Sequence, residues 1–417
     1  MKNKVAIISF IVLLFGSCSG TAGDDTKNVA RSMHKSVKRG VAFSFGYVED
    51  LPLLSSAISW NYNWGPDQES LQALWMDDEK IEFCPMAWGR NFNENRIRTF
   101  VNAHPSVKYL LAFNEPNLTD QARMTPSEAA ALWPNVKQLA DELGLKIVSP
   151  AMNYGTLSGY SDPIKWLDEF FSLVPLSDID AISVHCYMAN PEALKNYVKM
   201  FEKYGKPIWM TEFCAWEDYA IHSQEDQMKY MCEVVNFMET SNLVERYAWF
   251  IPRAKEGYPY MQLITQAVPG ELTDAGKLYC GLSSFDKTVW LNVSNEMLLY
   301  AKDYVAINDD AVQVRPSTDG DGLMLNVISE GQQVEYQIYN SESTKQISLR
   351  YASLTDAMIV LSLDGKNIGV FTLPAGGNSM QSWTTTMLPV SVKAGKHTLQ
   401  VQMLTGVINL YWMQFTK

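Results

Sequence analysis

The hydrophobic pattern between residues 39 and 251 repeats eight times. Each repeat contains a short, nearly continuous apolar run, the pattern of a strand buried on both faces. The eight runs are Arg39–Phe45, Ala57–Trp64, Ile81–Trp88, Val107–Glu115, Leu145–Tyr154, Asp180–Tyr187, Pro207–Phe213 and Arg246–Ile251. Most of the segments between them have helical period. In one of them, Thr125 and Pro126 are placed to begin a helix and Gly144 to end it.

Eight strand–helix units predict a closed (β/α)8 TIM barrel, an α/β fold of about 250 residues. An open doubly wound sheet is the rival, but it would carry a Gly-rich phosphate turn after an early strand, and the sequence has none. From about Trp290 the pattern changes to short alternating strands separated by turns. This second pattern predicts an antiparallel, jelly-roll-like β-sandwich. We therefore assign residues 37–287 to the barrel and residues 288–417 to the sandwich.

The first 18 residues predict an export signal. Lys2 and Lys4 precede the apolar run Val5–Phe15, which is short for a transmembrane helix. The sequence "GSC" ending at Cys18 resembles a bacterial lipobox, which implies cleavage before Cys18 and lipidation of its thiol. An ordinary signal peptide with a chance cysteine is the alternative. We expect residues 19–36 to form a polar tether. We expect the protein to be exported and lipid-anchored to the outer membrane, at the cell surface or in the periplasm.

Composition excludes some partners and suggests another. The net charge is −12 and no basic patch is present, so we expect no nucleic-acid partner. The 12 tryptophans suggest flat apolar surfaces on which sugars stack, although an aromatic core accounts for most of them. Besides Cys18 there are five widely spaced cysteines without a C-x-x-C or Cys/His cluster, so we expect no metal site.

Candidate chemistry lies at the carboxyl ends of the predicted strands, which form the active face of a (β/α)8 barrel. These ends carry aromatic, amide, imidazole and carboxylate side chains: Trp60, Asn61, Tyr62, Trp64, Trp88, Asn114, Glu115, Asn153, Tyr154, His185, Tyr187, Glu212 and Trp249. The two carboxylates, Glu115 after the fourth strand and Glu212 at the end of the seventh, would project into one bowl. A facing pair can protonate a glycosidic oxygen with one member and attack the sugar, or activate water, with the other. Repulsion at a short gap would push the two pKa values apart.

Four motifs in order resemble glycoside hydrolase family 128, a clan A family acting on β-1,3-glucans. They are "SWNYNW", "LLAFNEPN", "ISVHCY" and "IWMTEF", and the resemblance covers residues 37 to about 285. It implies Glu115 as the acid/base and Glu212 as the nucleophile of a retaining enzyme, with Asn114 on the 2-hydroxyl of the attacked sugar. We assign substrate binding to Asn114, Trp60, Asn61, Tyr62, Trp64, Trp88, Tyr154, His185, Tyr187 and Trp249. Some of these, Trp60 and Tyr62 among them, share a strand face and could instead fill the barrel.

The second domain resembles the family 6 carbohydrate-binding modules over residues 295–417. The matching pieces include "YAKDY", "EGQQVEYQI", "LDGKNIG" and "VINLYWMQF". Asn409 matches the cleft Asn of that family, but Val327 and Met380 stand where its cleft aromatics usually are. We therefore expect the sandwich to pack against the barrel near residues 272–285 rather than to bind sugar at that cleft.

These observations predict a retaining β-glucanase that needs no cofactor and acts as a monomer. The resemblance to family 128 implies that the linkage it cleaves is β-1,3. A catalytically weak, glycan-binding surface lipoprotein is the alternative. Retention of both carboxylates favours the enzyme.

Overall fold

The computed structural model describes residues 29–30 and 35–417. Cys18, with the predicted signal and most of the predicted tether, lies outside the described residues. A search of the described residues finds no helix with the length and apolar character needed to span a bilayer. The first described element is a two-residue strand, β1 (Val29–Ala30).

The N-terminal domain has the eight strands that the sequence predicts. They are β2 (Arg39–Ala42), β3 (Trp60–Tyr62), β4 (Glu82–Phe83), β5 (Tyr109–Leu111), β6 (Lys146–Val148), β7 (Ile182–Cys186), β8 (Ile208–Phe213) and β9 (Val244–Phe250). Six form a parallel sheet in the order β4-β3-β2-β9-β8-β7, and β5 pairs with β6. Single parallel bridges, Met86 to Leu111 and Val148 to Ala181, connect the pair to both edges of the sheet. The predicted (β/α)8 barrel is thereby confirmed.

A helix follows each barrel strand. The helices are α1 (Leu51–Leu54), α2 (Ser70–Asp78), α3 (Glu94–Ala103), α4 (Pro126–Leu143), α5 (Pro163–Leu173), α6 (Pro191–Met200), α7 (Gln224–Thr240) and α8 (Asp274–Gly281). The predicted start and end signals of α4 are present. Thr125 and Glu128 form a capping box at its start, and Gly144 ends it in the left-handed conformation with φ 66°.

The barrel interior below the strand ends is filled by a cluster of packed side chains. Trp60, Tyr109 and Trp209 pack together there, and the guanidinium of Arg246 lies over all three rings. Arg246 also donates to the Glu82 carboxylate at 2.7 Å, which pairs a charge that would otherwise be costly to bury. Trp60 is completely buried in this cluster. The structure therefore corrects its predicted role as a subsite wall, because inward alternation along β3 directs it into the barrel.

The C-terminal domain is the predicted sandwich of two mainly antiparallel sheets. Its strands are β10 (Leu291–Asn292), β11 (Leu298–Tyr300), β12 (Ala306–Ile307), β13 (Gln313–Pro316), β14 (Leu323–Ser329), β15 (Gln333–Asn340), β16 (Thr344–Ala352), β17 (Ala357–Leu363), β18 (Lys366–Leu373), β19 (Trp383–Val392), β20 (Gly395–Thr405) and β21 (Val407–Thr416). One sheet contains β11, β13, β14, β16, β19 and β21, and β1 adds in parallel beside β11. The other contains β10, β12, β15, β17, β18 and β20.

The sandwich packs on α7 and α8, as expected from the sequence near residues 272–285. Both helices contact β13. Buried Asn236 on α7 donates to the carbonyls of Asp310 and Val312 at 2.9 and 3.0 Å, and it accepts from the Tyr304 hydroxyl at 3.0 Å. Arg315 on β13 donates to Glu225 on α7 at 2.7 Å. Polar side chains satisfied only by the other domain make the two domains depend on each other.

We expect Asn236→Ala to lower the free energy of unfolding by about 1–3 kcal/mol, because it leaves three groups of the sandwich, the Asp310 and Val312 carbonyls and the Tyr304 hydroxyl, without this hydrogen-bond partner. Thermal unfolding followed by calorimetry should show a lower midpoint, with separation of the barrel and sandwich transitions. Asn135→Ala, on the exposed face of α4, is the matched control and should change neither. Equal effects of the two substitutions would show that the contact does not couple the domains.

Candidate active site

Strand ends bring Glu115 and Glu212 into the same cleft. Glu115 lies just beyond β5 in the left-handed conformation with φ 43°, an unusual backbone state for a residue with a side chain and one that occurs at functional sites. Glu212 is in β8, where Trp209 packs inward. Strict alternation would turn Glu212 outward, but the pairing register with β7 shifts between Val184 and His185. This β-bulge aims the Glu212 carboxylate into the cleft.

His185 links the two carboxylates. Its Nδ1 lies 2.9 Å from Oε1 of Glu115 and 3.5 Å from Oε2 of Glu212. The two carboxylate oxygens are therefore separated by no more than the sum of these distances. The two neighbouring carboxylates raise the pKa of His185 in spite of its complete burial. The two carboxylates thus favour the positively charged form of the imidazole between them.

Glu212 accepts hydrogen bonds from three side chains. Its Oε1 accepts from the Tyr62 hydroxyl at 2.8 Å and from the Trp64 indole at 2.7 Å. Its Oε2 accepts from the Tyr187 hydroxyl. Burial and the Glu212 charge raise the pKa of both tyrosines well above the ordinary value, so both remain neutral donors. These three donors hold the carboxylate in a fixed orientation at the base of the cleft.

Glu115 has a different environment. Both of its hydrogen bonds with described side chains fall on Oε1, one with His185 and one from the Asn153 amide at 3.1 Å. Burial acts to raise the pKa of Glu115, but the His185 charge and these hydrogen bonds prevail and lower it. The sequence analysis expected carboxylate repulsion to control this site. The structure shows that His185, placed between the two groups, offsets that repulsion.

The cleft above the pair has a volume of about 570 Å³. Its lining combines aromatic rings with carboxylates and amides, namely Trp64, Trp88, Asn114, Glu115, Leu118, Asp120, Gln121, Asn153, Tyr187, Glu212, Trp216 and Phe250. Trp88 and Trp216 are 37% and 42% exposed, as suits rings that a ligand could cover. Asn114 donates to Gln121 at 3.2 Å, while its own Oδ1 is buried without a partner in the described structure. A hydroxyl-rich ligand could satisfy that acceptor.

Three further residues that the sequence analysis assigned to substrate binding lie elsewhere. Asn61 is fully buried and donates to the carbonyls of Val41 and Phe43 on the neighbouring strand. Trp249 is fully buried on the helix side of β9, where its indole donates to the Met261 carbonyl. Tyr154 is exposed but is not part of the cleft lining, and its ring packs against Tyr197 on the helix side. The assignments of Asn61 and Trp249 were wrong because a strand end alone does not reveal which way a side chain points. That of Tyr154 stays a prediction.

The sequence analysis did not assign several lining residues to the site. Phe250 follows Trp249 directly and faces the cleft in its place. Trp216 belongs to the loop after β8 and packs edge-on against Tyr187, with the ring centroids 5.8 Å apart. Asn153 stood among the strand ends without a role. Only Phe250 and Asn153 carried a signal, their position at a strand end; Trp216 lies beyond its strand, in a loop whose path the pattern does not predict.

The described residues contain no group of three or more His, Cys, Asp or Glu side chains arranged to hold a metal ion. The five described cysteines are free thiols.

Comparison with known proteins agrees with this architecture. Residues 40–279 match the family model of the glycosyl hydrolase catalytic core, and residues 301–417 match that of the family 6 carbohydrate binding module. The chain is 39% identical to a family 128, subgroup II endo-β-1,3-glucanase structure from Pseudomonas viridiflava. That match covers 60% of this chain and 99% of the other, with a TM-score of 0.56. A subgroup II endo-β-1,3-glucanase from Sorangium cellulosum is 32% identical over 58% of this chain and 97% of the other, with a TM-score of 0.53.

A curated relative is alkali-sensitive linkage protein 1 of Schizosaccharomyces pombe, which is 26% identical over 257 residues. The match covers 58% of this chain and 44% of the relative, so the chain spans less than half of that protein. The family match, the barrel and the cleft with its two carboxylates agree: the chain belongs to glycoside hydrolase family 128 and carries a family 6 carbohydrate-binding module.

Proposed function

We propose that this protein hydrolyses β-1,3-glucan with retention of anomeric configuration, with Glu115 as acid/base and Glu212 as nucleophile. The observation that carries the proposal is the His185 imidazole nitrogen lying within 3.5 Å of both carboxylates. The sum of the two distances, 2.9 and 3.5 Å, falls short of the roughly 6.5–9.5 Å that separates the carboxyl groups of inverting enzymes. This upper bound on one pair of carboxylate oxygens supports direct attack by Glu212 on the sugar. The β-1,3 linkage is supported by the substrates named for the two bacterial relatives.

The two roles follow from the two environments. Glu212 accepts three hydrogen bonds, which suits a nucleophile that must be ionised. Glu115 has its partners on Oε1, which leaves Oε2 to give a proton to the glycosidic oxygen. A sugar in the cleft displaces water and strengthens the effect of burial, which already acts to raise the pKa of Glu115. Substrate binding would therefore favour the protonated form that general-acid catalysis needs.

We expect Glu115→Gln and Glu212→Gln each to lower reducing-sugar release from β-1,3-glucan by about 10²–10⁴-fold or more, because each removes an essential carboxylate without changing its shape. Azide should restore turnover to Glu212→Gly and give a glycosyl azide of the opposite anomer. The first product of the unmodified protein, followed by NMR, should be the β-anomer.

Glu82→Gln, a buried carboxylate at the opposite end of the barrel, is the control and should retain turnover per folded molecule. Near-normal rates in Glu212→Gln would contradict the assignment. No sugar release by the unmodified protein would favour the alternative of a glycan-binding lipoprotein.

We further propose that the sandwich does not bind glucan at the cleft used by its family. The side chain of Asn409 is nearly fully buried, donates to the Met380 carbonyl and accepts from the Val327 amide, both at 2.8 Å. Both ends of the amide are therefore engaged by the protein's own backbone. Val327 and Met380 offer no flat ring on which a sugar could stack.

We expect Asn409→Ala to lower the thermal midpoint by a measurable amount, since two half-buried backbone groups lose the side chain that pairs with them. In a Glu212→Gln background, affinity electrophoresis in soluble β-1,3-glucan should show unchanged retardation. Trp88→Ala, in the barrel cleft, should reduce retardation in the same gel. Loss of retardation in Asn409→Ala alone would show that the sandwich cleft binds glucan.

We also propose that Cys18 is the lipid attachment site and that the protein is held on the bacterial outer membrane, facing the surface or the periplasm. The support is the lipobox-like sequence and the basic and apolar segments before it. We expect Cys18→Ala to leave the membrane fraction or to accumulate unprocessed, as measured by fractionation and labelling with a radioactive fatty acid. Cys280→Ala is the control. Unchanged fractionation of Cys18→Ala would indicate an ordinary signal peptide.

A further inference from the structure

The two oxygens of the Glu212 carboxylate are held differently. Oε1 accepts from the Tyr62 hydroxyl and the Trp64 indole, at 2.8 and 2.7 Å. Oε2 accepts from Tyr187 and lies 3.5 Å from the His185 nitrogen that contacts Glu115. Because the attacking oxygen must face the acid/base across the sugar, Oε2 is the oxygen placed for attack, and Oε1 is the oxygen that is held.

The donors to Oε1 are fixed in position. Tyr62 is fully buried, and the Trp64 ring packs edge-on between Tyr62 and Phe250, with centroid distances of 5.5 and 5.8 Å. Trp64 has φ 62°, a left-handed backbone that is costly for a residue with a side chain and persists only where its surroundings impose it. The strained backbone at Trp64 therefore directs the indole N–H at Oε1 of Glu212.

We propose that Tyr62 and Trp64 are positioning residues that hold Oε1 of Glu212 so that Oε2 meets the anomeric carbon. The inference rests on the proposed role of Glu212 as nucleophile. It differs from the sequence-based expectation, in which both aromatic residues were walls for sugar rings.

The two donors act unequally on the two chemical steps. In the first step Oε2 bonds to the anomeric carbon, and the bond to the leaving oxygen breaks as that oxygen takes the Glu115 proton. Glu212 becomes an ester whose carbonyl oxygen is Oε1. In the second step water gives a proton to Glu115 and attacks the anomeric carbon, and the electron pair of the ester bond returns to the carboxylate. Hydrogen bonds to Oε1 stabilise the carboxylate more than the ester, so they speed its departure in the second step.

The test is Trp64→Phe and Tyr62→Phe, since each removes one donor and keeps an aromatic ring. We expect kcat to fall by about tenfold or more in each, as for other hydrogen bonds to charged groups. KM should fall together with kcat, because the glycosyl-enzyme accumulates, and an aryl β-laminaribioside should give a burst of released phenol.

Trp249→Phe is the matched control. It removes an equally buried indole donor, bonded to the Met261 carbonyl at 2.8 Å outside the cleft. It should lower the thermal midpoint without a burst and without lowering KM. If Trp64→Phe does not fold, Tyr62→Phe provides the same readouts.

A raised KM with unchanged kcat and no burst would overturn the proposal and leave Trp64 as a subsite wall. Normal turnover in Glu212→Gln would instead remove the nucleophile assignment itself. An inactive Glu212→Gln together with the absence of a burst in both donor variants would overturn only the positioning role.

Discussion

The active face depends on holding two carboxylates around one buried imidazole. Two negative charges at this separation repel each other strongly where water is largely excluded. His185 offsets the repulsion because it contacts both, and the hydroxyl, indole and amide donors around it distribute the remaining charge. These donors come from β3, β7 and the loops after β3 and β6, so closure of the barrel is a condition of the electrostatic arrangement.

The packed lower half of the barrel supports this arrangement from beneath. Arg246 lies over three aromatic rings and pairs with Glu82, so the interior there is filled and neutralised. A second buried arginine, Arg39, bonds to Glu239 at 3.0 Å and donates to carbonyls of α8 and of the segment that leads to the sandwich. Arg246 thus stabilises the packed interior of the barrel, and Arg39 ties the barrel to the segment that leads to the second domain.

Much of the architecture could be predicted because it rests on local patterns. The eight strands, the capping of α4 and the two carboxylates at strand ends all followed from apolar runs and helix punctuation. Side-chain direction could not be predicted in the same way. Trp249 and Phe250 are adjacent on a strand buried on both faces, so burial does not tell which of them faces the cleft. Glu212 points inward only because of a bulge, and the sequence carries no plain signal for that shift. Trp216 depends on the path of a loop.

The contact between α7 and the sandwich determines how well the barrel can be expressed without the second domain. One side of α7, the helix after the Glu212 strand, is covered by the second domain. Asn236 bonds to the backbone of that domain. The Cys232 thiol lies 3.4 Å from both the backbone nitrogen and the backbone oxygen of Val314. A product ending near residue 287 would present that side to solvent as a thiol and an amide within an apolar patch. Such a fragment is open to oxidation and self-association, so the barrel is best expressed together with the sandwich.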